Sequence, residues 1–460
     1  MRQKQMKATS RLEADSIGSL EVPTAAYYGV QAERASRNFQ ITHLKMSPVF
    51  LSNLALIKKA AANVNFEIGL LTKPQADAIK AACDEVIAGK FADDFIVDPI
   101  QGGAGTSANM NMNEVIANRA NELLGGKRGT YDLVHPNDQV NMAQSTNDTI
   151  PTAGKMTTIL LSEKLVESLD KLEAALRIKA DEFSDVIKMG RTQLQDAVPM
   201  TLGDSFAGYA SMVSRLKKRL EKATMEMHEI NLGATAIGTG INASQYYEDH
   251  IAGELSKLFG FDLKQADDLF DATENLDSFV EVSGALKACA ISLSKMSNDL
   301  RLLSSGPRCG FAEINLPAKQ NGSSIMPGKV NPVIPEVVSQ AAFLVCGHDT
   351  TITMAAEAGQ LELNAFEPVV FYQLFESFTA LTGAIDTLVE NCIKGITANK
   401  GRCKQLKDSS VGIATVLCPY LGYQLSAKIA KRALKEKRSV RELVLEGHLM
   451  SPEQLDGLLG

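Results

Sequence analysis

The residues with the densest chemistry lie in the run Gly306-Pro-Arg-Cys-Gly-Phe-Ala-Glu-Ile-Asn-Leu-Pro-Ala-Lys-Gln-Asn-Gly-Ser-Ser-Ile-Met-Pro-Gly-Lys-Val-Asn-Pro332. Four Gly and four Pro in 27 residues, set between two helical patterns, predict a functional loop longer than an ordinary helix connection. At its tip, Gly322-Ser323-Ser324 is followed by Lys329 and Asn331. Two hydroxyls, an ammonium and a carboxamide so close together suit an anionic substrate, and Gly322 lets backbone approach a ligand. The same residues also fit a plain Gly/Pro-rich turn with Ser as helix caps. A second cluster, Gly102-Gly-Ala-Gly-Thr106, could cradle phosphate, yet it lacks both the Gly-Lys-Ser/Thr ending of a P-loop and the Gly-x-Gly-x-x-Gly of a dinucleotide site. Nucleotide binding is not expected. A third, Ser145-Thr-Asn-Asp148, reads as a helix N-cap, a role compatible with anion binding because helix N-termini favour negative charge.

Other reactive side chains offer less. The six histidines (43, 135, 228, 250, 348, 448) show no pair at metal-ligand spacing, and the seven cysteines (83, 289, 309, 346, 392, 403, 418) are scattered, with Cys309 alone in the loop region. The acidic pairs Asp93-Asp94 and Asp267-Asp268 read as solvated surface. No tight metal site is expected. Scattered thiols suggest a reducing, cytoplasmic setting. The basic start, Met1 to Lys7, is not followed by a continuous apolar region, so no export signal is expected. No stretch approaches about 18 consecutive apolar residues, which argues against a membrane span. The net charge of −7 comes without a basic block beyond Lys431 to Arg438, so nucleic acid is an unsuitable partner.

The elements that must position these groups are helical. Of 460 residues, 45% are hydrophobic and 22% charged, the balance of a globular protein with a large core, and about 150 residues per domain suggests three domains. Turn signals crowd residues 1–145, which read as an irregular, mostly helical first domain. From 153 to 183, Leu161, Leu165, Leu169, Leu172 and Leu176 recur at helical spacing. Similar patterns run over 204–230, 274–303, 335–357 and 366–395. Helices this long bury their apolar stripes best against one another, which predicts an all-α fold. Its expected form is an elongated central helical bundle over 146–400, flanked by the N-terminal domain and a small helical domain at 401–460. In that last part Ser439 with Glu442 and Ser451-Pro452 with Gln454 predict helix starts.

The run Gly322-Ser-Ser-Ile-Met-Pro-Gly-Lys-Val-Asn-Pro332 resembles the signature of the aspartase/fumarase superfamily, whose members release fumarate from succinyl compounds. Gly102 to Glu114, Gln144 to Thr152 and Gly190-Arg-Thr-Gln-Leu-Gln-Asp-Ala-Val-Pro199 resemble further blocks of it, so the likeness covers essentially the whole chain. Class II fumarases carry a catalytic His where this chain has Gln193. That exchange removes a titratable proton carrier, and with Ile334 to Val338 and Leu363 to Pro368 it favours the ammonia-eliminating branch. Some members of that branch carry His at this position, so Gln193 is supportive and not decisive. Argininosuccinate and adenylosuccinate lyases have more divergent blocks. A noncatalytic helical scaffold, such as the lens proteins derived from this superfamily, has no need for Ser323, Lys329 and Asn331 together.

The resemblance implies reversible elimination of ammonium from L-aspartate without an organic cofactor, although divalent cations activate some members. It implies Ser323 as the base. Thr106, Ser145, Thr146 and Ser324 are implied around the β-carboxylate, whose second negative charge in the aci-carboxylate intermediate sets the main catalytic demand. Lys329 and Asn331 would hold the α-carboxylate, and Asn147, Thr192 and Gln193 would face the amino group. Serine is a poor base near neutral pH, so its loop must supply backbone dipoles or a cation such as Lys329. Arg191 is a further candidate for attracting the substrate. The resemblance also implies a homotetramer whose sites draw on three subunits, and it likens His135-Pro-Asn-Asp138 to a second dicarboxylate site of fumarases, where a capped loop is expected here.

Overall fold

The computed structural model describes residues 9–459; the basic start at Met1 to Lys7 lies outside the described residues. Five long helices dominate: Thr146–Glu182, Leu202–Thr224, Asp277–Leu303, Val333–Glu357 and Glu367–Asn391. Leu165, Leu169, Leu172 and Leu176 are all fully buried, as their spacing requires. The first helix starts seven residues before the predicted 153, although Pro151 lies inside it. Proline has no N–H for the carbonyl four residues back, that of Asn147. Asn231 Nδ2 donates to that carbonyl instead, at 2.9 Å. The second helix stops at Thr224, short of the expected 230, because the chain tightens into a 3-10 turn at Met225–His228 and Glu229–Ile230 pairs in parallel with Lys264–Gln265.

Two compact units alternate along the chain. The first takes residues up to 165, then 219–287 and 344–379; the second takes 166–218, 288–343 and 380 onward. In the first, the hairpin Ser10–Asp15 with Gly18–Pro23 precedes helices Val30–Asn38, Pro48–Glu67, Lys73–Ile87 and Thr106–Leu123. The last of these buries polar residues on several faces, including Asn109, Asn111, Asn113, Glu114, Asn118 and Asn121. Such a helix folds only if most of these groups find partners. Glu114, for example, accepts from the backbone N–H groups of Gly29, Gln31 and Ala32 at 2.8–3.1 Å, which tie down the start of Val30–Asn38.

The second unit contains the hairpin Ile187–Thr192 with Gln195–Thr201, which helical periodicity did not announce. Its C-terminal part packs Met189, Ile413, Leu417, Leu443, Val444 and Leu455 into one cluster. The expected capping box is present, with Glu442 N donating to Ser439 Oγ at 3.1 Å and Ser439 N to Glu442 Oε2 at 3.3 Å. Ser451 and Gln454 make the same reciprocal pair ahead of Pro452–Leu459. Among the described residues, strand is confined to four two-stranded ladders, so the molecule is mostly helical.

Candidate functional site

In the first unit, two helix N-termini meet. Gly105, at φ +88, turns the chain into Thr106–Leu123, and a Cβ there would sit 2.9 Å from the Ile150 side chain in the second turn of Thr146–Glu182. Only glycine tolerates both that φ and that approach. Thr106 is exposed at the first helical position. Asn109, one turn on, donates through Nδ2 to Thr146 Oγ1 at 3.3 Å. The Gly105–Ile150 approach and the Asn109–Thr146 hydrogen bond thus bring two helix starts together, one carrying Thr106 and the other Thr146 next to Ser145, and the positive ends of two helix dipoles suit a carboxylate.

The Ser145-Thr146-Asn147 segment is braced from below by Asp148, which is fully buried. Its carboxylate accepts from Ser145 N at 2.9 Å and from Gly233 N at 3.0 Å. Burial pushes this carboxyl up to about 6, while those two backbone donors pull the other way. Ser145 Oγ accepts from Asn147 N at 3.2 Å. Asn147 Nδ2 donates to the carbonyl of Ala236 at 2.6 Å, leaving Oδ1 as the acceptor it can present to an ammonium. Ala236 itself is held at φ 61, ψ −72, a strained position for a residue with a Cβ.

In the second unit, residues 322–331 close on themselves. Gly322 N donates to Lys329 O at 3.0 Å and Asn331 Nδ2 donates to Gly322 O at 2.7 Å. Ser323 Oγ accepts from two backbone N–H groups, Ile325 at 3.2 Å and Met326 at 2.9 Å. Two such donors favour a negative charge on that oxygen. Ser323 and Asn331 are half-buried, whereas Ser324 and Lys329 are exposed. One N–H of the Asn331 amide is spent on the loop, and the other is left for a ligand.

Thr192 and Gln193 lie at the tip of the 187–201 hairpin, where Gln193 (φ 52) and Leu194 (φ 61) form a two-residue turn with both residues left-handed. Both are exposed. Ser410 Oγ donates to Asp196 Oδ2 at 2.7 Å and anchors the hairpin from the C-terminal part. Arg191 is corrected as an attractor of substrate. Its guanidinium donates to both oxygens of the fully buried Glu313 at 3.0 and 3.1 Å, shares that carboxylate with Lys188 and lies over the Phe311 ring. A buried acid needs its cations, so Arg191 is committed to the fold.

His135 Nδ1 accepts from Asn137 N and Asp138 N, the capped loop expected there. Asp268 Oδ1 accepts from Phe270 N and Asp271 N, and Asp93 pairs with Lys45 at the surface. Among the described residues, no three His, Cys, Asp or Glu side chains form a metal-binding group. No helix of the described residues is long and apolar enough to cross a membrane. A cavity of 710 Å³ in the first unit reaches Gly105 and Ile150 from their buried side. Its walls of Phe50, Phe371 and Phe375 suit an apolar group and not a dianion.

Sequence reasoning missed a buried polar cluster beneath Thr146: Lys58, Asn109, Asn141 and Gln144. The signals were there: Lys58 interrupts the apolar run from Leu54 to Ala62, and Asn109, Asn111 and Asn113 alternate with methionines on a helix too apolar elsewhere to face water.

The comparisons with known proteins come down on one family. A model described as "Lyase" matches residues 18–347, and one described as "Fumarase C C-terminus" matches residues 413–460. The aspartate ammonia-lyase of a Bacillus species is 50% identical over 99% of this chain and 97% of its own length. That of Helicobacter pylori is 52% identical over 97% of this chain and 96% of its own length. Among solved structures, a Brucella melitensis protein described as fumarate lyase:delta crystallin, bound to cobalt, superposes with a TM-score of 0.96 at 48% identity, covering 98% of each chain. A class II fumarase from Schistosoma mansoni superposes with a TM-score of 0.94 at 36% identity, again covering 98% of each.

Proposed function

The chain belongs to the aspartase/fumarase superfamily, and from that premise we propose that it is an aspartate ammonia-lyase, converting L-aspartate reversibly to fumarate and ammonium. The observation that carries the mechanism is the pair of backbone N–H groups donating to Ser323 Oγ. As an alkoxide, Ser323 takes a proton from the β-carbon. The electron pair left behind moves into the β-carboxylate, giving the aci-carboxylate dianion. Return of that pair forms the double bond and expels the amine as ammonia, which with the proton held by serine accounts for the ammonium released. The amine departs already protonated, so no separate acid is required, and Gln193 in place of a titratable side chain is no obstacle.

Thr106, Ser145, Thr146 and Ser324 stabilise the dianion, each donor worth on the order of 3 kcal/mol if it acts like an oxyanion-hole group. Lys329 and Asn331 take the α-carboxylate. Asn147 presents Oδ1 to the amino group, in company with Thr192 and Gln193. The assembly we propose is a homotetramer with composite sites. Support comes from large apolar side chains left in water along the long helices: Val337, Phe343, Leu344 and Met354 on one, Ile291 and Leu302 on another. We read the setting as cytoplasmic from the seven cysteines, all of them free thiols.

The test follows the ultraviolet absorbance of fumarate formed from L-aspartate and, separately, from L-malate. Formation from aspartate is expected, with malate at most a trace. Activity on malate alone would convert the assignment to fumarase.

A further inference from the structure

We propose that Lys58 is a positioning residue for the elimination. Its ammonium fixes the Asn109 carboxamide, so that Thr146 accepts from Asn109 and turns its own hydroxyl proton toward the β-carboxylate of the substrate. The inference rests on the elimination reading above. It assigns the donor direction of Thr146 to a side chain that never touches substrate.

Lys58 lies on Pro48–Glu67 with no exposed surface. Three amide oxygens surround its Nζ: Asn109 Oδ1 at 2.6 Å, Asn141 Oδ1 at 2.9 Å and Gln144 Oε1 at 2.9 Å. An ammonium has three N–H groups for three acceptors, whereas a neutral amine has two, so the cluster is fully satisfied only in the charged form. Among the described residues, no carboxylate pairs with it. Each amide oxygen turned to Lys58 forces its NH₂ outward. Asn109 Nδ2 donates to Asn141 Oδ1 at 3.1 Å and to Thr146 Oγ1 at 3.3 Å. Asn141 Nδ2 donates to Gln144 O at 3.2 Å, and Gln144 Nε2 to Val140 O at 3.0 Å. With a donor-only group at its centre, the network has one self-consistent orientation.

At the outer end, Thr146 Oγ1 accepts from Asn109, and among the described residues no group accepts its hydroxyl proton. That proton is available to a dianion. Cation, amide and hydroxyl then form a chain whose donors all point one way, and such chains strengthen as charge develops at their end. Without the ammonium, Asn109 can flip and present its oxygen, and Thr146 would spend its proton on that oxygen.

A second, independent readout follows from the charge. Burial pushes Lys58 down to about 7, and the titratable groups whose fields reach it, Asp148 on Thr146–Glu182 and Cys83 on Lys73–Ile87, both push it up. A dicarboxylate bound beyond Thr146 adds negative charge and raises it further. Above pH 7, binding therefore takes up protons, and below pH 7 the uptake fades because the amine is already charged.

The experiment compares wild type, Lys58→Met, Lys58→Arg and Asn109→Asp on L-aspartate, and titrates succinate calorimetrically at pH 8 in two buffers of different ionisation enthalpy. Lys58→Met is expected to lower kcat about 10- to 100-fold, the size of a charge-assisted hydrogen bond, with KM moving less than about threefold. Proton uptake on succinate binding disappears with it. Lys58→Arg keeps the charge and recovers at least about tenfold of the lost kcat. Asn109→Asp provides the arm that does not depend on Lys58→Met folding. A carboxylate beside the buried ammonium holds the cluster together yet offers Thr146 an acceptor in place of a donor, so kcat falls by a similar factor. The proposal is overturned if Lys58→Met, or Asn109→Asp where Lys58→Met does not fold, keeps kcat within about twofold of wild type. Equal proton uptake by wild type and Lys58→Met overturns it as well. A wild type that turns over malate and not aspartate instead sinks the assignment above, while the calorimetric arm still decides the role of Lys58.

Discussion

Ser145, Thr146 and Asn147 are held by groups far away in the sequence: Gly233 through Asp148, Ala236 and Asn231 through Asn147, and Lys58 through Asn109. Ser323 takes both of its hydrogen bonds from residues two and three positions ahead, inside a loop whose residues Ser324 to Val330 are all exposed. The difference follows from what each cluster is proposed to do. Receiving a carboxylate that gains a second charge requires donors from several elements fixed in one place, which only tertiary packing can arrange. Favouring an alkoxide requires a few backbone dipoles around one oxygen, which a single tight turn can supply.

The largest effect should come from the self-contained cluster. Ser323→Ala removes the proposed base and should lower kcat by about 10²- to 10⁴-fold, the range for a positioned proton-transfer group. Because Ser323 is half-buried and its partners lie within its own turn, the melting temperature should stay within a degree or two of wild type. Fumarate absorbance and a thermal melt check both halves. Turnover at the wild-type rate would remove Ser323 from the role of base.

Two alanine substitutions set the two kinds of support against each other. At Gly105, a Cβ meets Ile150 at 2.9 Å and must also adopt φ +88. Overpacking and left-handed strain together should cost about 2–4 kcal/mol, seen as a lower melting temperature along with lost activity. At Gly322, a Cβ would meet Lys329 O at 2.5 Å and break the Gly322–Lys329 closure. The neighbouring loop is exposed, so stability should change by less than about 1 kcal/mol, while misplacing Ser323 should cost about tenfold or more in kcat. If Gly322→Ala lowered the melting temperature as much as Gly105→Ala, the loop would not be self-supporting and the contrast would fail.

The same contrast explains what could be read from the chain alone. The leucine spacing from 161 to 176 reports helix and burial directly, because period and packing are one fact. The Gly322 to Asn331 turn was legible for a similar reason: its partners are its own neighbours. Lys58 and Asn109 were not, since 51 positions separate them and only the folded chain shows that one satisfies the other. Arg191 looked available because its carboxylate partner, Glu313, is 122 positions away. The 187–201 hairpin escaped notice because its turn, Gln193-Leu194, lacks the Asn or Gly that left-handed residues usually require.

That turn yields the smallest of these effects. Leu194 is exposed and held at φ 61, a conformation costing a residue with a Cβ about 1–2 kcal/mol. Glycine removes the strain but adds backbone entropy to the unfolded chain, about 0.5–1 kcal/mol in the other direction. Leu194→Gly should therefore stabilise the protein slightly, by about 0.5–1 kcal/mol, readable as a small rise in melting temperature. Gln193, next to it, is proposed to face the amino group, so a looser tip should raise KM for aspartate more than it lowers kcat. A higher melting temperature with unchanged KM would mean that the strain in this turn has no part in placing Gln193, and the hairpin would then serve the fold alone, through Met189 in the core and Arg191 on Glu313.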